Sequence, residues 1–308
     1  MAPKQWGDGR TQLNGRASAG DATESSIIEG MSASERAASD APLTTGVAAG
    51  VPSLPPPAAG FRWTAESWGP MLRCVPLEAI AQHGFTSRQL ALRPGESGTD
   101  RWALAAASVG CAAPRLARVR QVHGAEVRVV RGDRLDAPAP DADAVITATA
   151  GLAVTVVAAD CVPILLADAA TGAVAAIHAG WRGTCARVAG ATVAALAREF
   201  AVDPARLVAA IGPSIGACCY DVGDDLLRAF DEAGHSSIDR AAWFSRDAAG
   251  RLRLDLWRAN ADQLVHAGLA PDAVHVSGLC TRTHVGVFES YRAEGDRAGR
   301  MAAIITAP

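Results

Sequence analysis

The sequence predicts one α/β (α+β) domain behind an unstructured tail, and three observations carry that prediction. From Met71 onward short apolar runs alternate with stretches of helical period, the pattern of strands and helices packed around one core. Turn-forming residues punctuate those runs, and no internal repeat is present. Before that point, residues 1–70 are rich in Ala, Ser, Gly and Pro, with Pro55-Pro56-Pro57 and no sustained period, a composition that buries too little surface to offset ordering entropy. The expected organisation is therefore a tail over 1–70 and a domain over 71–308, with Phe61, Trp63 and Trp68 as the aromatic residues best suited to lie on the domain surface.

Taken in order, Leu116 to Val122 and Glu126 to Val130 read as two strands joined at His123-Gly124. Leu152 to Ala158, Val162 to Ala167 and Ala173 to His178 form a strand-rich block, with turn chemistry from Asp168 to Gly172. Apolar residues at helical spacing run from Cys185 to Phe200, so Gly180-Trp181-Arg182-Gly183 reads as a loop entering a helix near Thr184. Leu207 to Ile211 is a strand, Asp224 to Ala233 a helix, Asp255 to Ala267 a longer amphipathic helix closed by Gly268, and Ala273 to Val276 a strand.

Composition narrows the function. The chain has 308 residues, 29 Lys and Arg against 32 Asp and Glu, and a formal net charge of -3, so it lacks the basic footprint of a nucleic-acid or anionic-membrane binder. The longest apolar stretch, Gly151 to Ile177, is broken by Asp160, Pro163 and Asp168, which argues against a membrane span. The charged first residues show neither a secretory signal nor an anchor, so a cytoplasmic location is expected. Seven Cys with no CxxC spacing fit reduced thiols, most of them packing residues such as Cys74, Cys111 and Cys185.

Two His and one thiolate make a good donor set for zinc, and His123, Cys161 and His178 each stand where a strand ends or turns. Their separation alone reads as one buried Cys and two satisfied core His. The surrounding words reverse that reading. Gln121-Val122-His123-Gly124, Ala159-Asp160-Cys161-Val162-Pro163 and Ile177-His178-Ala179-Gly180-Trp181-Arg182-Gly183-Thr184 closely resemble the signature of the multicopper polyphenol oxidoreductase (laccase-domain) family. The resemblance continues through His83-Gly84-Phe85-Thr86-Ser87-Arg88, Asp141-Ala142-Asp143-Ala144, Ile211-Gly212-Pro213-Ser214-Ile215-Gly216, Cys219-Tyr220, Cys280-Thr281 and Ser290-Tyr291-Arg292, and ends near Gly299-Arg300. The sequence departs from the family after Arg88, where Gln89 to Trp102 is shortened and lacks the usual Ser-Leu-Asn stretch at the substrate-facing edge.

The resemblance implies a layered α-β-β-α sandwich with mixed sheets. It also implies one metal, zinc or alternatively copper, held by His123, Cys161 and His178. Three ligands leave a fourth position open, the mark of a catalytic zinc. Asp160 is then a candidate general base or orienter, and Arg182 a candidate anion holder in a Gly-flanked loop. Arg88, which closes the family's HGFxxR word, is a second such Arg. Each has a plainer alternative as a turn former or solvated side chain. Cys218 and Cys219 are packing residues or pocket neighbours, Tyr220 offers a hydroxyl or packs, and His83 is a candidate to approach the site. His235, His266, His275 and His284 have no motif behind them.

A laccase apparatus needs roughly ten His ligands, and this chain has seven, two of them in metal motifs. A conventional multicopper oxidase is excluded. The resemblance instead implies phosphate-dependent cleavage of purine nucleosides (adenosine, inosine, methylthioadenosine) with adenosine deamination, so nucleosides and phosphate are the expected partners. The alternatives are a mononuclear-copper polyphenol oxidase, a Cys161–His178 hydrolase acting on peptidoglycan precursors, and a non-catalytic binding module.

Overall fold

The computed structural model describes residues 53–93, 99–132, 135 and 139–308. Two six-stranded mixed sheets face one another. The first contains β1 (Phe61–Glu66), β2 (Gly69–Cys74), β3 (His83–Thr86), β4 (Leu116–Ala117), β7 (Ala153–Ala158) and β14 (Met301–Thr306), in the spatial order β1-β2-β3-β14-β7-β4. The second contains β5 (Val127–Val129), β6 (Ala144–Thr147), β8 (Val162–Ala167), β9 (Val174–Ala179), β10 (Val208–Ile211) and β13 (Val274–Val276), in the order β13-β10-β8-β9-β6-β5. A small hairpin, β11 (Phe244–Arg246) with β12 (Leu252–Leu254), stands apart.

The strand period of two assigns each residue to a layer. On β9, Val174 and Ala176 face the inter-sheet core, while Ala175, Ile177 and Ala179 face the helices α4 (Val188–Phe200) and α7 (Leu256–His266). On β8, Leu165 and Ala167 point inward and Val162, Ile164 and Leu166 outward. On β14, Ala303 and Ile305 face the second sheet, whereas Ala302 and Ile304 meet α2 (Thr99–Ala107) through Ala105 and Ala106. The result is the α-β-β-α sandwich in a single domain. Asp168 sets the β8–β9 turn by accepting bonds from Thr171 Oγ1 at 2.8 Å and from the Ala170 and Thr171 amides, and Gly172 closes it at φ 69°.

Several expectations need correction. The boundary at residue 70 falls inside a sheet hairpin, since β1 pairs with β2 from Phe61↔Cys74 to Glu66↔Gly69. Trp63 stacks on Phe288 at 5.9 Å and donates from Nε1 to Pro55 O at 2.9 Å, so the aromatic residues supply the apolar area that the composition of the stretch obscures. The rest of the expected tail, residues 1–52, lies outside the described residues, as do residues 94–98 of the shortened segment.

The two strands expected around His123 do not pair, because β4 belongs to the first sheet and β5 to the second. The helix expected from Cys185 is two helices, α3 (Trp181–Cys185) and α4, broken at Arg187 with φ 60°. Tertiary partners compensate the break: Gln263 Nε2 donates to Thr184 O at 2.8 Å and Asn260 Nδ2 to Thr184 Oγ1 at 3.0 Å. Arg182 therefore lies in the first turn of a five-residue helix, not in a loop before a long one. His83 is fully buried in β3, where its Nε2 accepts from the Cys74 amide at 3.0 Å and its Nδ1 faces Ala81 O at 3.0 Å. It holds the sheet and is not among the side chains that cluster with His123, Cys161 and His178.

Candidate metal centre

The antiparallel pairings of the second sheet gather the site. Because β8 runs against β9, with Val162↔Ala179 and Pro163↔His178, Cys161 just before β8 meets the end of β9, where His178 stands. Because β6 also runs against β9, Asp143 just before β6 arrives at the same edge, and its carbonyl accepts the His178 amide at 2.7 Å. His123 enters from the segment that crosses between the sheets. The ligand atoms of His123, Cys161 and His178 all lie within 4.8 Å of one another, and the two imidazoles meet edge to face at 4.9 Å.

Asp143 organises this triad. It is fully buried, and its Oδ1 accepts from His178 Nδ1 at 2.8 Å and from the His123 amide at 2.9 Å. Its Oδ2 accepts from the Gly124 amide at 2.6 Å and the Val122 amide at 3.2 Å. Three successive N–H groups thus wrap one carboxylate, which holds His123 at φ 59°, a conformation a side-chain-bearing residue adopts only when its surroundings impose it. Burial alone would raise the Asp143 carboxyl, but His178 and these amides outweigh it and hold it below the usual range. With Nδ1 of His178 taken by the carboxylate, Nε2 is the nitrogen left for a metal.

Electrostatics agree with a thiolate ligand. Burial pushes the Cys161 thiol up, yet the adjacent His178 and His123 imidazoles outweigh it and bring it down to about 6. The same pairing, with Asp143 behind it, raises His178 to about 9 against its own desolvation. Space is reserved as well. A Cβ on Gly180 would lie 2.8 Å from Cys161 Sγ and 3.3 Å from His123 Cδ2. One on Gly183 would lie 3.0 Å from Gly124 O, so α3 packs closely against the His123 loop. Two imidazoles and a thiolate converging over a glycine fit a borderline-soft cation such as zinc.

The other sequence candidates lie around this centre with different partners. Asp160 adopts φ 82° directly before Cys161. Its Oδ1 accepts from Thr281 Oγ1 at 2.6 Å and its Oδ2 from the Arg292 amide at 2.6 Å, and burial raises its carboxyl despite those bonds. Arg182 is half-buried with its guanidinium 4.4 Å over the Trp181 ring. Arg88 Nη2 pairs with Glu294 at 2.9 Å and with the buried Glu289 at 3.4 Å, and its Nη1 donates to Val285 O. Tyr220 is buried under the Arg292 guanidinium at 5.2 Å. His235 Nε2 donates to Cys185 O at 2.8 Å and is not among the triad's clustered donor atoms.

Sequence reasoning did not single out Asp143, Gly180, Thr281 or Arg292. Asp143 had a signal, since it stands in the Asp141-Ala142-Asp143-Ala144 word beside conspicuous ligand words. Thr281 and Arg292 are recognisable only once Asp160 is seen to face them.

Comparison with known proteins agrees with the fold. Residues 96–308 match the family model described as multi-copper polyphenol oxidoreductase laccase. A purine nucleoside phosphorylase of Streptomyces coelicolor is 38% identical over 243 residues, covering 78% of this chain and 92% of that protein. An adenosine deaminase, RL5, from an unknown prokaryotic organism is 38% identical over 189 residues, 59% of this chain and 71% of its own length. The crystal structure of YlmD from Geobacillus stearothermophilus superposes with a TM-score of 0.70 at 30% identity, covering 80% of this chain and 98% of that one. By its sequence words, its two-sheet fold and the convergence of His123, Cys161 and His178, this chain belongs to the multi-copper polyphenol oxidoreductase laccase family.

Proposed function

We propose that the protein is a zinc-dependent purine nucleoside phosphorylase, cleaving adenosine, inosine and methylthioadenosine with phosphate, and that adenosine deamination is a side activity of the same site. The observation that carries this reading is a three-donor centre with Asp143 fixing its histidine, in a chain whose relatives are named for these two activities.

His123, Cys161 and His178 would hold the ion, one per chain; a bound zinc supplies Lewis acidity at an open position. Asp143 keeps the His178 proton on Nδ1 and so directs Nε2 to the centre. Asp160 has both oxygens engaged, which suits a residue that positions Cys161 against the Thr281 and Arg292 segments. Arg182 brings a permanent positive charge four residues after His178, the charge that a phosphate co-substrate requires. Arg88 is bound to two carboxylates, so its part is to hold the Val285–Glu294 segment at the rim.

A second reading is favoured by one observation. Asp143, His178 and Cys161 also have the order of an orienter, a base and a nucleophile, with a thiol at about 6. A thiolate committed to zinc is a poor free nucleophile, so metal dependence separates the two.

The test is a nucleoside panel with and without phosphate, on zinc-loaded, copper-loaded and chelated protein. Free base and ribose 1-phosphate appearing only with phosphate and zinc is the expected result. Turnover that survives chelation and stops on thiol alkylation would replace this reading with the hydrolase. Arg182→Ala should lower phosphate-dependent kcat/KM about tenfold to hundredfold, the effect of losing a charge-assisted contact of roughly 1.5–3 kcal/mol, while ammonia release suffers less and zinc stays bound.

A further inference from the structure

A second group of soft donors lies outside the triad. Cys218, Cys219 and Cys280 place their three Sγ atoms within 4.8 Å of one another. Adjacent cysteines point to opposite sides of an extended chain, but here the Cys219 amide closes a turn onto Gly216 O at 2.9 Å, and both thiols face the same way with their sulfurs 3.7 Å apart. Cys280 reaches them from the segment after β13, where Ser214 and Cys280 form an isolated parallel bridge. All three are free thiols, the first exposed, the second half-buried and the third buried.

The surroundings are those of a built site. The Gly216 amide donates to Cys280 Sγ at 3.3 Å, which favours the thiolate as a ligand. Thr283 Oγ1 stands 3.5 Å from Cys219 Sγ and 3.9 Å from Cys218 Sγ, on hand as an oxygen donor. Arg253 Nη1 binds Cys218 O at 2.8 Å, and Arg253 is itself held by Asp221 at 2.9 Å and Asp247 at 3.0 Å, so the turn is fixed from outside. A Cβ on Gly216 would lie 2.8 Å from the Trp257 ring and 3.3 Å from Cys218 Sγ, so a glycine keeps the space open.

We propose that Cys218, Cys219 and Cys280 form a second metal site, distinct from the His123–Cys161–His178 centre, for a thiophilic d10 cation, Cu+ or Zn2+. Metal–sulfur bonds of about 2.3 Å in a trigonal or tetrahedral array require sulfurs about 3.8–4.0 Å apart. The observed spacing meets that with small side-chain rotations. Three thiolates without imidazole form a softer set than the triad, so the two sites differ in preference, the cysteine cluster holding Cu+ more strongly.

The test uses the full chain, reduced and handled without oxygen, titrated with Zn2+ alone and with Cu+ alone against a competing chelator. Wild type should bind two equivalents of at least one of the two cations. Cys219→Ser and Cys280→Ser should each lose one equivalent and keep the triad's, and Cys161→Ser should keep the cluster's. Titration with Cd2+ gives an independent readout, because thiolate-to-metal charge transfer scales with the number of thiolates. Removing Cys219 should therefore abolish most of the absorbance, and removing Cys161 little of it. Since Cys280 is buried and its variant is the one that risks misfolding, the exposed Cys218→Ser serves as the second variant. With both cations, a single wild-type equivalent that Cys161→Ser loses and Cys219→Ser keeps, or a Cys219→Ser protein that binds as wild type does, would overturn the proposal. A Cys218–Cys219 disulfide persisting under reducing conditions would overturn it too.

Discussion

Replacing Asp143 with Asn removes one charge and one acceptor from the residue that organises the proposed metal centre. The carboxylate accepts four bonds, two at each oxygen: 2.8 Å from His178 Nδ1 and 2.9 Å from the His123 amide, 2.6 Å from the Gly124 amide and 3.2 Å from the Val122 amide. An amide has one oxygen. If it takes the Oδ1 place, its NH2 faces two N–H donors and the His123 loop must shift. If it takes the Oδ2 place, its NH2 donates to His178 Nδ1 and moves the imidazole proton to Nε2, the nitrogen the metal needs. Either outcome leaves buried donors unpaired, a cost of about 1–3 kcal/mol. Loss of the carboxylate behind a ligating His typically weakens metal binding about 10–100-fold, or about 1.4–2.7 kcal/mol, which agrees with that cost. The assay is the zinc Kd of wild type and Asp143→Asn by competition with a chromophoric chelator. Melting temperatures measured in excess chelator report folding separately. Alkylation of the chelated protein adds a second readout, since the pH midpoint of Cys161 reactivity should rise from about 6 once His178 loses its counter-charge. A Kd within twofold of wild type would refute the view that Asp143 orients the site.

Three further substitutions test separate parts of the structure. Gly180→Ala should weaken zinc more than tenfold with little change in the fold, because its Cβ would sit 2.8 Å from Cys161 Sγ while the backbone φ of -70° suits alanine; zinc retained at wild-type affinity would show that the ligand geometry is mistaken. His83 is neutral in the fold, with its pKa lowered to about 4 first by desolvation, and protonation would set its Nε2 proton against the Cys74 amide. Its contribution is full above about 6.5, where the unfolded His is also neutral, and falls by about 3 kcal/mol as pH drops toward 4, so His83→Gln should remove one proton's worth of pH dependence from urea-unfolding stability in that window. Arg88→Ala should cost about 2–3 kcal/mol by leaving the buried Glu289 without its cation, with zinc affinity unchanged; a stable variant that had lost only turnover would make Arg88 a residue that touches substrate.

The sequence by itself determined a good deal of this protein. Strands β8, β9 and β10 and helices α4, α5 (Asp224–Glu232) and α7 were legible to within a few residues, because each carries its own period and its own stop: Asp168 to Gly172, Asp203-Pro204, Asp255 and Gly268. The three clustered donors were legible because His123, Cys161 and His178 each stand in a short word that resembles the family's signature. The tertiary structure decided everything that depends on which ends meet. Strand β14 has all six residues buried and so lacks the alternation of a half-exposed strand; β8 and β9 are buried likewise, but the Asp168 to Gly172 turn bounds them as strands, and no such turn marks β14. The turn of the chain at His123 and the break at Arg187 defy local propensity, and each is held from afar, the first by Asp143 and the second by Asn260 and Gln263. Asp143 is twenty residues from His123 and thirty-five from His178, so no local pattern relates them. The antiparallel pairing of β6, β8 and β9 brings their ends to one edge, and only there does an ordinary aspartate become the residue that joins His123 to His178.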